Sequence, residues 1–500
     1  MQQVNSSLTM KLITFIAIFL MIINMATCVS LNNHHPVTSH VNNDINYHQV
    51  IFDYMKDRSN ENFKYQLLNS VDIPNTAKFY VFNMTSVKWL TNKEVSRSEW
   101  YHFVEIVVPY QITQTKQALM LIAGGSSNSQ VPTLDKELIQ MGVLTKSIVC
   151  TIHQIPNQPL TFLSDPEKKS RVEDAILAFA WARFMNLTQE NDELKSNTEW
   201  IPRLPMVKST LFAMDLVQEY LLKNLNIKVE DFHVAGASKR GWTTNLVGVV
   251  DQRVKSIIPI VIPIWKTREV LEHTYNSLCF WPEAMGDYVR EGIINRLNSK
   301  EFKLLADVID PFEYNDILAG KFKYFVNAVG DQFFVPELSQ FSYPFIKGSD
   351  ERKHLRYIPN ADHSMAGSDA ELTILAYYYC LINNISLPIY NFNLKSDSLL
   401  TVNIVKNILP IKSILLWEAF APNRDFRQQT IGNVWKSRDI STNYNAQTCQ
   451  ISVNLNNPPS GQFYAAFVEL TFDLGGAIYL KFTTSVYILP NVLPCHYSDI

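Results

Sequence analysis

Two rhythms of apolar and polar positions alternate along the middle of this chain. Short runs that are almost wholly apolar recur at His102–Val108, Ala118–Ala123, Ser147–Ile152, Phe232–Ala235, Ser256–Ile262, Tyr324–Val329 and His354–Ile358. Runs of this kind predict strands buried on both faces, as in a parallel sheet. Between them, Leu134–Met141, Arg171–Met185, Met206–Leu225 and Trp242–Val250 carry apolar residues at helical spacing. Glu173 and Asp174 fall in the first turn of the second of these helices, where the dipole favours acids. Strands alternating with helices predict an α/β fold with a doubly wound sheet.

Three regions depart from this rhythm. Residues 31–75 are polar, rich in His and Asn and weakly periodic, which predicts an extended or loosely ordered lead-in. Residues 265–320 are mostly helical and interrupt the alternation, either as a lid over a site or as an enlarged crossover. After residue 395 the helical signals fade. Leu400–Ile404, Ser413–Trp417, Tyr464–Phe472 and Ile478–Thr483 read as strands separated by turn residues. The expected division is therefore an α/β domain over 31–395 and a small β-sandwich over 396–500.

The first 30 residues read as a secretory signal. Lys11 is their only charge, Leu12–Ala26 is apolar, and the small residues Ala26, Cys28 and Ser30 offer cleavage sites. The rival reading is an uncleaved anchor, for which the run is short. No later segment is long and apolar enough to span a membrane, so a secreted, extracellular protein is expected. Secretion makes Asn83, Asn186 and Asn384 candidate glycan sites, each opening an N-x-S/T sequon. It also makes disulfides plausible among the six cysteines, and Cys449 with Cys495 is the expected pair, both lying in the β-rich region.

Apolar residues make up 47% and charged residues 18%, enough for a large core. A formal charge of −3 and the lack of a basic run argue against a nucleic-acid partner. No CxxC or HExxH spacing supports a metal site, and no cofactor is expected.

The chemistry concentrates at His233-Val234-Ala235-Gly236-Ala237-Ser238-Lys239-Arg240-Gly241-Trp242. An apolar strand runs through a small-residue turn bearing a serine into a helix, the pattern of a nucleophile elbow. A serine hydroxyl needs a base, and the base needs an orienting acid. After Ser238, Asp331 lies in Val329-Gly330-Asp331-Gln332-Phe333-Phe334 and His363 in Asn360-Ala361-Asp362-His363-Ser364, each just beyond an apolar strand. The order Ser, Asp, His is that of the α/β-hydrolases. Asp362 is the rival acid, though adjacent side chains in a loop tend to diverge. The backbone N–H of Lys239, with that of Gly124 or Gly125 after an early strand, would form the oxyanion hole. The Lys239 and Arg240 side chains could bind an anion, pair with an acid or cap the elbow.

Several long motifs resemble the PhoPQ-activated pathogenicity-related family. They are Gly236–Thr244, Gln154–Leu160, Arg171–Ala175, Arg203–Lys208, Val329–Pro336 and Tyr357–Ser364, in order along residues 80–480. The resemblance implies an α/β-hydrolase followed by a β-sandwich, with the family's Ser, Asp and His on Ser238, Asp331 and His363. This chain looks like the family's secreted eukaryotic members, the autocrine proliferation repressor proteins. That implies a signal restraining growth of the releasing cells, with a cell-surface receptor or another secreted protein as partner. A secreted serine esterase or peptidase without a signalling role is the alternative. Three positions depart from the family pattern: Asn245 replaces an aromatic residue, Ile260–Pro263 lacks an acid, and Gln332 replaces a Glu.

Overall fold

The computed structural model describes residues 46–499 apart from 192, 396, 397 and 477, so the expected signal segment lies outside the described residues. Nine strands form the main sheet: β1 (Glu61–Ile73), β2 (Ala77–Lys88), β3 (Glu99–Pro109), β4 (Gln114–Ile122), β5 (Ser147–Ile152), β6 (Asp231–Ala237), β7 (Val254–Ile260), β8 (Phe322–Ala328) and β9 (Lys353–Ile358). Their order is β1-β2-β3-β5-β4-β6-β7-β8-β9. The pairs from β1 to β5 are antiparallel, and those from β5 through β4 to β9 are parallel. The apolar runs lie where both faces are covered: every residue of β5 is buried.

Expectation and structure part at β1 and β2. The lead-in holds a 13-residue strand whose side chains are mostly exposed or only partly covered. An edge strand facing water on much of its surface has no apolar run to betray it. β2, between β1 and β3, is largely buried.

The helices needed here are α1 (Lys136–Thr145), α2 (Asp174–Glu190), α3 (Arg203–Leu225), α4 (Lys239–Val250), α5 (Thr267–Leu278), α6 (Lys300–Ile309) and α7 (Ala370–Ile382). Asp135 caps α1 by accepting from the Leu138 amide at 2.9 Å, and Ser299 caps α6 through Phe302 at 3.1 Å. α7 is absent from the sequence expectation because it has little polar face. Most of its residues are buried, between the main sheet and the C-terminal strands.

The C-terminal region forms two antiparallel sheets. One holds β10 (Ile389–Leu394), β11 (Leu399–Lys406), β14 (Tyr444–Asn445) and β15 (Gln450–Asn454) in the order β10-β11-β15-β14. The other holds β12 (Ile411–Ala421), β13 (Lys436–Asp439), β16 (Phe463–Asp473) and β17 (Tyr479–Thr483) in the order β13-β12-β16-β17, with β18 (Tyr487–Leu489) also on β16. The first of these strands begins at Ile389, ahead of the expected boundary. One apolar cluster includes Val402, Leu416 and Val468 from these sheets and Ala235, Ile258 and Val326 from the main sheet. Buried Arg356 of β9 reaches across to buried Glu469 of β16, so the contact is ionic as well as apolar.

The expected Cys449–Cys495 disulfide is not formed. Cys495 pairs with Cys279 at the end of α5, with 5.4 Å between Cα atoms, and Cys449 is an exposed free thiol. The tail after β18 leaves the antiparallel sheets and runs over the helical insertion. There the Cys495 amide donates to the Asn276 carbonyl at 3.3 Å and the Tyr497 hydroxyl to the Ile294 carbonyl at 2.6 Å. Other contacts fix the same insertion: Arg171 pairs with Glu291 at 2.7 Å, and the Trp242 indole donates to the Ile309 carbonyl at 2.5 Å. Among the described residues no helix is long and apolar enough to cross a membrane.

Candidate active site

Ser238 sits between β6 and α4 with φ 56° and ψ −126°. A non-glycine residue at positive φ is strained and needs surroundings that enforce it. Here the Ser238 amide donates to the Ile260 carbonyl of β7 at 2.8 Å, and the Trp242 amide donates to the Ser238 carbonyl at 3.0 Å. The small neighbours have a visible reason: a Cβ on Gly236 would lie 2.8 Å from the carbonyl carbon and oxygen of Arg240. Ser238 itself is partly exposed, with its neighbour Gly236 buried.

Asp331 and His363 emerge beyond β8 and β9, neighbouring parallel strands. Their loops are tied directly. The Gly330 amide donates to the Ala361 carbonyl at 3.0 Å, and a Cβ on Gly330 would lie 2.9 Å from that oxygen. The result is a 2.7 Å hydrogen bond between His363 Nδ1 and Asp331 Oδ2. Asp331 is buried, and its other oxygen accepts from the amides of Phe333 and Phe334 at 2.7 and 3.3 Å. With Nδ1 donating to a carboxylate, Nε2 of the neutral ring is left free to act as a base.

The rival acid turns elsewhere. Asp362 accepts from the Ser364 amide at 2.9 Å and from Gln332 Nε2 at 3.0 Å. Partial burial would raise its carboxyl, but these hydrogen bonds hold it below the usual range. Gln332 also accepts from the His363 amide at 2.8 Å, so it fixes the imidazole loop from both sides. That role is invisible in the sequence except as a polar residue beside the acid.

The structure therefore joins Asp331 to His363 directly, while among the described residues no hydrogen bond joins the Ser238 hydroxyl to the His363 ring. The Phe333 ring centroid is 4.5 Å from that of His363, and both phenylalanines wall the cavity that Ser238 lines. This cavity, about 50 Å3 and open to solvent on one side, is walled also by Trp181, Trp242 and Tyr288. Tyr288 and Ile294 come from the helical insertion, which thus forms part of the cavity wall.

Lys239 and Arg240 pair with acids, one of the three expected readings. Lys239 Nζ lies 2.8 Å from Glu173 and 3.0 Å from Asp174, and Arg240 lies 2.6 Å from Glu173. Burial works against the Glu173 carboxylate, but Arg240 and Lys239 hold its pKa down to about 2. Glu173 precedes α2 at φ 50°, so it serves this ion cluster rather than the helix dipole alone. Gly124 follows β4, which lies beside β6 in the sheet, and packs against the Arg240 guanidinium. Gly125 has φ 123°. Gly124 thus lies beside the elbow, just beyond the strand that adjoins β6.

Of the sequons, Asn186 and Asn384 are exposed, the former accepting from Arg296 at 2.8 Å. Asn83 lies within β2, its amide oxygen buried without a partner. That placement disfavours a glycan on Asn83. His48, Asp307 and Glu313 bring ligand atoms within 4.8 Å of one another, but Lys303 Nζ contacts both oxygens of Asp307 at 2.8 Å.

A serine elbow after a central parallel strand, with an acid and an imidazole after the second and third strands beyond it, defines the fold of an α/β-hydrolase. The chain belongs to the PhoPQ-activated pathogenicity-related protein family, whose model matches residues 51–427. It is 33% identical over 459 residues to autocrine proliferation repressor protein A of Dictyostelium discoideum, covering 87% of this chain and 89% of that protein. Among solved structures, acetyl xylan esterase 1 from Thermoanaerobacterium sp. JW/SL YS485 aligns with a TM-score of 0.42 at 13% identity, covering 67% of this chain and 92% of the esterase. A glucuronoyl esterase from Solibacter usitatus gives a TM-score of 0.38 at 12% identity, covering 67% and 91%. Likenesses this distant have no bearing on substrate.

Proposed function

We propose that this protein is a secreted repressor of proliferation that carries a working serine-hydrolase site. The observation that carries the chemistry is the 2.7 Å His363–Asp331 hydrogen bond, with Phe333 packed on the imidazole and lining the same cavity as the elbow serine. In this reading Ser238 Oγ attacks an ester carbonyl while His363 Nε2 takes its proton. Asp331 stabilises the imidazolium that forms. The Lys239 amide and that of Gly124 or Gly125 receive the developing oxyanion. His363 then returns the proton to the leaving alcohol, and water releases the acyl group from Ser238 by the same route. The catalytic hydrogen bond from Ser238 to His363 forms when substrate is bound, as it commonly does in hydrolases whose free sites are loose.

Identity to the repressor protein of Dictyostelium discoideum over most of both chains supports the signalling half. Export follows from the same reading, with glycans on the exposed Asn186 and Asn384. The test is Ser238→Ala, purified from conditioned medium, assayed for ester hydrolysis and for slowing of cell division. Loss of both with an unchanged melting temperature is expected. Full growth repression by the variant would separate the signal from the chemistry, and no repression by wild type would end the signalling reading.

A further inference from the structure

The cavity beside Ser238 contains more positive charge than its own acids neutralise. Arg203, Lys239 and Asp174 line it, and Arg240 and Glu173 adjoin them, so three cations stand against two carboxylates. All four carboxylate oxygens are occupied. Arg240 and Gln158 hold one oxygen of Glu173 at 2.6 Å each, and Lys239 holds the other at 2.8 Å. Lys239 takes one oxygen of Asp174 at 3.0 Å, and the Tyr288 hydroxyl takes the other at 2.8 Å. None of these contacts involves Arg203.

Arg203 opens α3 and is 1% exposed, yet it lines the same cavity as Ser238. Among the described residues its Nη1 donates to the Lys239 carbonyl at 2.6 Å, and its Nε is buried with no partner. The guanidinium is 4.4 Å from the centroid of the Trp242 ring and 5.8 Å from that of Trp181. Rings of this kind attract a cation but do not neutralise it. Burial lowers the Arg203 pKa to about 10, which leaves the group charged at neutral pH. Asp174 lies near enough to favour the charged guanidinium but does not hydrogen-bond to it, and a buried cation without a hydrogen-bonded carboxylate is costly unless a ligand supplies one.

We propose that Arg203 forms a carboxylate-binding subsite beside Ser238, so that the favoured substrates are short-chain esters bearing a carboxylate near the scissile bond. This rests on the reading of Ser238 as nucleophile. Leu271, Met285 and Phe334 supply apolar walls in the same cavity as the guanidinium, which suit a short acyl chain. The planar guanidinium suits a carboxylate better than an ammonium does.

Two measurements test the subsite. In the first, 4-nitrophenyl hemisuccinate is compared with 4-nitrophenyl butyrate, an uncharged ester of equal chain length. The hemisuccinate should give a kcat/KM about 10- to 100-fold higher, the range of a charged hydrogen bond. Arg203→Met should remove the preference, and Arg203→Lys should keep part of it. Equal rates, or a preference for butyrate, would overturn the subsite. In the second, succinate is titrated against indole fluorescence, since Trp181 and Trp242 flank the guanidinium. Wild type and Ser238→Ala should both respond saturably to succinate and not to succinamide. If wild type hydrolyses neither ester, this titration decides. A response leaves the subsite standing and removes the hydrolase reading, and no response overturns the subsite. Should Arg203→Met fail to fold, the succinate–succinamide comparison needs no variant.

Discussion

Replacing Asp331 by Asn preserves the shape of the acid and removes its charge. Asp331 is 2% exposed, and its Oδ2 lies 2.7 Å from His363 Nδ1. At that separation and an effective dielectric of about 20, opposite unit charges attract by about 6 kcal/mol, which bounds what the carboxylate offers the imidazolium. The amide also donates toward Nδ1, which drives the ring proton to Nε2 and occupies the base. A fall in kcat of about 1,000- to 10,000-fold, equal to about 4–5.5 kcal/mol, is therefore expected. The assay is hydrolysis of a 4-nitrophenyl ester from pH 6 to 10, with a thermal melt to show that the fold persists. Asp362→Asn serves as the matched control, because Asp362 is engaged by Ser364 and Gln332. It should cost no more than a few-fold. A folded Asp331→Asn enzyme with wild-type kcat would refute the assignment, as would a larger loss in Asp362→Asn.

Further outcomes follow from the same contacts. Gly236→Ala places a Cβ 2.8 Å from the Arg240 backbone, so the elbow must shift; hydrolysis should fall at least tenfold with a stability loss of about 1–3 kcal/mol, read from urea unfolding. Breaking the Cys279–Cys495 bridge in Cys279→Ser should cost about 2–5 kcal/mol, since the bridged residues are 216 apart in sequence. Native alkylation of wild type should mark Cys449 rapidly, while buried Cys150 and Cys380 stay unmodified. Burial lowers the pKa of His102, His233 and His354 to about 4, 3 and 3. Below about pH 6.5 the unfolded chain therefore binds three protons that the folded chain refuses. Asp310, raised to about 7 by burial, retains one proton in the folded state and offsets one of these. Stability should thus fall by about 3 kcal/mol per pH unit between pH 6 and 5, and a flat urea midpoint there would contradict the buried neutral imidazoles.

Much of this arrangement is legible in the residue pattern because burial on both faces of a strand leaves an unbroken apolar run. β5, β6, β8 and β9 were readable for that reason, and with them the loops that carry Ser238, Asp331 and His363. β1 was not, since its side chains face water, and α7 was not, since it lacks a polar face to set a period. The disulfide depended on where the tail travels after β18, which local composition does not encode. Nothing in the sequence marks Glu173, Gln332 and Arg203 as parts of the site. Each works through a partner more than 30 residues away, Glu173 with Arg240, Gln332 with His363 and Arg203 with Lys239. Single charged or amide side chains in loops and first turns look alike until the chain has folded. Lys239 and Arg240 stand out in the sequence as cations beside the elbow serine, but only the fold brings Glu173 and Asp174 to them.

The most direct measurement is the site of covalent modification by a fluorophosphonate. Protein treated with the reagent, digested and sequenced by mass spectrometry should carry one adduct on Ser238, and none should form in His363→Ala. An unmodified Ser238 in folded protein, or an adduct on another hydroxyl that is indifferent to His363, would contradict the account.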